Sequence, residues 1–119
     1  MKNILVVDDD QSIREIILFI LESEGFNVSG LDNGQAVVGT VQQMHPDLVL
    51  LDVQLGDSDG RDICRELKHL PDTREIPIIM ISATSSWTAL KDKECQPDDF
   101  LPKPFDISDL IKHVRQFAA

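Results

Sequence analysis

Three consecutive aspartates, Asp8-Asp9-Asp10, follow the apolar run Ile4-Leu5-Val6-Val7, and another, Asp52, follows Leu48-Val49-Leu50-Leu51. Ser82 closes the run Ile78-Ile79-Met80-Ile81, and Lys103 comes shortly after Phe100-Leu101. Taken singly, each has an ordinary explanation: an aspartate after a strand is most often a helix cap, a serine a turn residue, a lysine a surface charge. Taken together they fit a different chemistry. Carboxylates within ~4 Å of one another repel by about 1–4 kcal/mol per pair at effective dielectrics of 80 to 20, so a shared site needs positive charge. An all-oxygen ligand set without His or Cys favours Mg2+ over Zn2+. A cation of that kind keeps positions open for phosphate oxygens, and a carboxylate beside it can serve as nucleophile, as in aspartyl-phosphate chemistry. Asp52 is the candidate acceptor, with Mg2+ and Lys103 neutralising the phosphoryl oxygens and the Ser82 hydroxyl donating to them.

These residues meet only if the elements that carry them bring them to one rim. The runs at Ile4–Val7, Leu48–Leu51 and Ile78–Ile81 are unbroken and apolar, the pattern of strands buried on both faces. Between the first two lies a helix with apolar positions Ile13, Ile16, Ile17, Ile20 and Leu21, with Ser12 and Glu15 in capping-box spacing and Gly25 as its stop. Phe26 to Gly30 alternates apolar and polar, as an edge strand does. Asn33 is placed to cap a second helix through Ala36, Val37, Val41 and Met44, weakened by Gly39 and ended before Pro46. Gln54 to Gly60 reads as a loop, and Ile63, Leu67 and Leu70 give a third helix. A short, weak helix is expected from Ser85 to Gln96. Phe100-Leu101 is a minimal fifth strand, and Asp106 caps a last helix with Leu110, Ile111, Val114 and Phe117 inward.

Strand and helix thus alternate five times. That order implies right-handed crossovers and an α/β fold, a doubly wound parallel five-stranded sheet with helices on both faces. The order 2-1-3-4-5 places the half-polar second strand at an edge, and ligands of such sheets bind beyond the carboxyl ends of the strands where the winding reverses. Asp8, Asp52, Ser82 and Lys103 all fall on that rim.

Composition narrows the partners. The 119 residues hold 11 Lys plus Arg against 21 Asp plus Glu, a formal charge of −10 that disfavours direct binding to nucleic acid or an anionic membrane. Cys64 and Cys95 form neither a disulfide framework nor a metal-ligand spacing. No apolar run approaches the ~20 residues of a membrane span, and the expected setting is the cytoplasm. One domain, residues 1–119, is expected.

The motifs in this order, Ile4-Leu5-Val6-Val7-Asp8-Asp9-Asp10, Leu48-Val49-Leu50-Leu51-Asp52, Asp59-Gly60, Ile81-Ser82-Ala83 and Lys103-Pro104-Phe105, resemble the receiver domain of two-component response regulators. The resemblance runs from residue 3 to about residue 117. It implies the flavodoxin-like receiver fold and a switch, not a turnover enzyme. The switch takes a phosphoryl group from a phosphohistidine onto Asp52 in a Mg2+-dependent reaction. On the same ground Asp8 and Asp9 are the acidic pair, Asp9 the direct metal ligand, Asp52 acceptor and ligand, and the Gln54 backbone carbonyl a further ligand. Ser82 is the switch hydroxyl, Lys103 the conserved-type lysine in a cis peptide with Pro104, and Phe100 the aromatic that turns inward on phosphorylation. Gln54 and Thr84 stand where the family tunes the acyl-phosphate lifetime, and neither is a carboxylate, so self-dephosphorylation is expected to be slow. The implied partners are a sensor histidine kinase or phosphotransfer protein and a downstream protein target or fused output domain. Three residues depart from the pattern. Gly56 replaces a usual proline, which implies a looser acceptor loop; Gln96-Pro97 replaces Gly-Ala; and Phe100 replaces tyrosine and can act only by packing. A haloacid-dehalogenase-type phosphatase, with Asp8 as nucleophile, and a flavin carrier are the rival readings. The first lacks room for a cap, and the second would place phosphate against three aspartates.

Overall fold

Each unbroken apolar run forms a strand, and the helices between them cover the sheet on both sides. The computed structural model describes residues 2–83 and 96–118. Its strands are β1 (Asn3–Val7), β2 (Asn27–Leu31), β3 (Leu48–Asp52), β4 (Gln54–Leu55), β5 (Ser58–Asp59), β6 (Ile78–Ser82) and β7 (Asp99–Pro102). The helices are α1 (Gln11–Ser23), α2 (Val37–Met44), α3 (Gly60–His69) and α4 (Ile107–Ala118). The main sheet is parallel in the order β2-β1-β3-β6-β7, which is the expected 2-1-3-4-5 once the small β4-β5 pair is set apart.

Strand alternation sorts the core into two layers. Leu5, Val7, Val49, Leu51, Ile78 and Met80 face α2 and α3, whose Val37, Val41, Ile63 and Leu67 are buried against them. Ile4, Val6, Leu48, Leu50, Ile79 and Ile81 face α1 and α4, meeting Ile17, Leu21, Leu110 and Val114. All five residues of β3 are buried, as a central strand covered on both faces requires. β2 lies at the edge with mostly exposed positions, as its alternation predicts.

Several local expectations are corrected. α1 is capped by Asp10, the ordinary role of an aspartate after a strand, and not by Ser12: Asp10 Oδ1 accepts from Ile13 N at 3.1 Å, the helix starts at Gln11 and Ser12 lies inside it. Of its apolar positions, Ile17 and Leu21 are buried while Ile16 is 58% exposed. Asn33 does accept from Ala36 N at 3.0 Å, but it caps a turn, and α2 begins later, at Val37. The segment expected as a loop after Asp52 contains the antiparallel pair β4-β5. Asp106 caps α4 as expected, accepting from Asp109 N at 2.7 Å. The helix expected from Ser85, and with it Thr84, lies outside the described residues but for Gln96.

Candidate functional site

The winding reverses between β1 and β3, and their register sets Val7 beside Leu51, so the next residues, Asp8 and Asp52, emerge side by side. Asp8 is 1% exposed and Asp52 5%. One oxygen from each of Asp8, Asp9 and Asp52 lies within 4.8 Å of the others. Lys103 follows β7, two strands away, and its side chain reaches back across β6. Its Nζ stands 3.0 Å from Asp52 Oδ2 and 3.5 Å from Asp8 Oδ2. Lys103 N also donates to Ser82 O at 2.7 Å, which ties the lysine segment to the end of β6, and the Lys103–Pro104 peptide is cis, as expected.

Backbone donors hold the carboxylates in place. Asp8 Oδ1 accepts from Asp10 N at 2.9 Å, Asp52 Oδ1 from Gln54 N at 3.2 Å, and Asp9 Oδ2 from Gly56 N at 3.1 Å. Together these residues, with buried Ser82, line an open cleft of about 310 Å³. Gly60 makes the close approach beneath it: a Cβ there would stand 2.0 Å from Asp52 O.

Three carboxylates against one ammonium leave the cleft with an excess of negative charge. Burial, with the Asp8 carboxylate adding to it, lifts the Asp52 carboxyl above its ordinary range despite the opposing pull of Lys103. Burial works against the Lys103 ammonium too, but the hydrogen bond to Asp52 and the charges of Asp52 and Asp8 outweigh it and hold its pKa above the ordinary value. An oxygen-only cluster with unbalanced negative charge fits a hard divalent cation, and the fit rests on that donor set.

Asp8, Asp9, Asp52, Gln54, Ser82 and Lys103 are therefore brought to one cleft. Phe100 is not among its lining residues; 7% exposed, it packs in the core layer facing α2 and α3, already inward. Sequence reasoning singled out Gly56 only as a replaced proline and missed Asp57 beside it. A Gly-Asp dipeptide is a hairpin signal, and it stood there to be read. The N–H that Gly56 has and a proline would lack is bonded to Asp9.

The sequence matches the response regulator receiver domain over residues 4–115. It is 36% identical over 115 residues to the DNA-binding response regulator MtrA of Mycobacterium tuberculosis, covering 96% of this chain and 49% of that protein. The chain spans about half the length of the curated relatives it matches. In structure it resembles the signal receiver domain of a signal transduction histidine kinase from Syntrophus aciditrophicus, with a TM-score of 0.90, 34% identity, and 98% of this chain and 89% of that one covered. It also resembles the receiver domain of a sensor histidine kinase from Pseudomonas aeruginosa, with a TM-score of 0.88, 26% identity, and coverage of 98% and 96%. That structure carries a magnesium ion coordinated in its active site cleft. The chain belongs to the response regulator receiver domain family, whose members are phosphorylation-dependent signalling switches of two-component systems. No helix among the described residues is long and apolar enough to cross a membrane.

Proposed function

We propose that residues 1–119 act as one receiver domain in which Asp52 accepts a phosphoryl group from a phosphohistidine. An Asp52 carboxylate oxygen forms the new O–P bond as the N–P bond breaks, and the imidazole leaves with the electron pair of that bond. Asp8, Asp9, Asp52 and the Gln54 carbonyl would hold Mg2+, which supplies the charge that keeps Asp52 ionised and neutralises the transferred oxygens. The observation that carries the reading is Lys103 Nζ held between Asp52 and Asp8 at 3.0 and 3.5 Å, above a cluster of three carboxylates. The lysine is placed to follow charge from the carboxylate to the phosphoryl group.

Ser82 donates to the new oxygens, and the ring of Phe100, already buried, responds only by repacking among its core neighbours. A preference of a few kcal/mol suffices to shift such an equilibrium. Neither Gln54 nor Thr84 offers a carboxylate to orient water, so the acyl phosphate is long-lived. The donor is a sensor kinase or phosphotransfer protein. An apolar groove lined by Ile16, Ile17, Pro104 and Phe105 shares Ile13, Ala83 and Lys103 with the acceptor cleft and suits a docking protein. The downstream target is a protein or fused output domain. The net charge of −10 speaks against nucleic acid binding by this domain, and its setting is cytoplasmic.

Incubation with phosphoramidate and Mg2+ followed by intact mass tests the assignment. One phosphoryl group is expected on the wild type and none on Asp52→Asn. Phosphorylation that survives in Asp52→Asn but disappears in Asp8→Asn would overturn it in favour of a phosphatase-type nucleophile.

A further inference from the structure

The hairpin that follows the acceptor pairs Gln54 with Asp59 and Leu55 with Ser58. A ladder that short does not hold itself together in water. Its base is fixed from below: Gly60 N donates to Val53 O at 2.7 Å, and Leu55 is buried in the core. Its tip, Gly56-Asp57, is exposed and is held by side-chain carboxylates in two directions. Toward the cleft, Gly56 N donates to Asp9 Oδ2 at 3.1 Å. Away from it, Asp57 Oδ1 accepts from Gly34 N at 2.9 Å and Oδ2 from Gln35 N at 3.3 Å, just before α2. Gly34 fits so closely under the hairpin that a Cβ would lie 2.5 Å from Ser58 Cβ.

Asp9 is the exposed member of the carboxylate cluster, so its orientation depends on such outside contacts more than that of buried Asp8 or Asp52. We propose that Gly56 and Asp57 are positioning residues for the cation site: Asp57 moors the hairpin tip to the segment before α2, and the moored Gly56 N–H aims the Asp9 carboxylate into the cleft. The Gly34 N–H foremost, with that of Gln35, holds the Asp57 carboxyl below its ordinary range and keeps it ionised as an acceptor. A proline at position 56 could not make the bond, since it has no N–H to give.

The inference rests on the reading of Asp8, Asp9 and Asp52 as cation ligands, and calorimetric titration of the full chain with Mg2+ separates the two. Loss of an outer partner of a metal ligand weakens metal affinity about 10–100-fold, and the exposed position of Asp9 favours the lower end. Asp57→Ala and Gly56→Pro are expected to weaken Mg2+ binding about tenfold while their melting curves stay cooperative. Asp57→Asn loses the same charge as Asp57→Ala but keeps an acceptor oxygen, and its loss is expected to be about two- to threefold. In an Asp9→Asn background, Asp57→Ala should add nothing further, because the contact it supports is gone. Folded Asp57→Ala and Gly56→Pro that bind Mg2+ within twofold of wild type would overturn the positioning role. A wild-type chain that binds no Mg2+ would overturn the ligand set itself, and the inference with it.

Discussion

Replacing Lys103 by methionine keeps most of the aliphatic stem and removes the ammonium that stands 3.0 Å from Asp52 and 3.5 Å from Asp8. Two nearly buried carboxylates then face each other and Asp9 without a counter-charge. Like charges at ~4.8 Å repel by about 1–3.5 kcal/mol per pair at effective dielectrics of 80 to 20. Breaking a fully buried ion pair from one side costs about 3–5 kcal/mol. The Lys103 side chain is 21% exposed, so solvent lowers its share, and a loss of about 2–3 kcal/mol is expected at pH 8. A chain of this length has an unfolding entropy of roughly 0.25 kcal/mol/K, which converts that loss into a fall in Tm of about 8–12 °C. Two features distinguish this origin from lost packing. Burial already lifts the Asp52 carboxyl above its ordinary range, and the variant removes the opposing pull of Lys103, so the loss should shrink as the pH is lowered from 8 to 5. Mg2+ also supplies the missing charge, so it should raise the Tm of Lys103→Met more than that of the wild type. Scanning calorimetry at pH 5 and pH 8, with and without Mg2+, measures both. A loss equal at the two pH values and unmoved by Mg2+ would show that Lys103 acts through its stem alone, and the electrostatic account of the cleft would fail.

Asp57 has a folded-state pKa below its ordinary 3.8, so its contribution to stability is complete above 3.8 and is lost as the pH falls through the lower folded value. Urea unfolding between about pH 4 and pH 2 should therefore show a steeper loss for wild type than for Asp57→Asn, and parallel slopes would refute it. Ile16 is 58% exposed and lines the apolar groove beside the acceptor, so Ile16→Ser should change stability by less than about 0.5 kcal/mol. The same variant should slow transfer from a protein donor while leaving the rate with phosphoramidate unchanged; an equal effect on both donors would remove the groove from the docking face.

The sheet was legible because each buried strand carries an unbroken apolar run and the helices between them keep a 3.6-residue period. The acceptor rim was legible for a related reason: the polar residues that terminate those runs stand at strand ends, and the winding order brings strand ends together. What the sequence left obscure depends on contacts between distant segments. Asp10 rather than Ser12 caps α1 because its carboxylate reaches Ile13 N, and nothing in the spacing separates that choice from the capping box. The burial of Ile17 and the exposure of Ile16 are settled by where α1 meets the sheet, since both belong to the same apolar stripe in the sequence. Gly56 alone says nothing of what holds the hairpin tip. Its two moorings, to Asp9 and to Gly34, come from residues 47 and 23 positions away, and pattern reading does not reach that far.

All five residues of β3 are shielded from solvent, with β1 on one flank and β6 on the other, and the acceptor stands at its end. A strand gripped from four sides yields little, so Asp52 cannot retreat when its charge or bulk changes. The accommodation falls to a part attached more lightly, the lysine arm, which reaches Asp52 and Asp8 at 3.0 and 3.5 Å from the far side of β6. A stiff post beside a compliant arm turns a small chemical event into displacement at the periphery, where another protein can feel it.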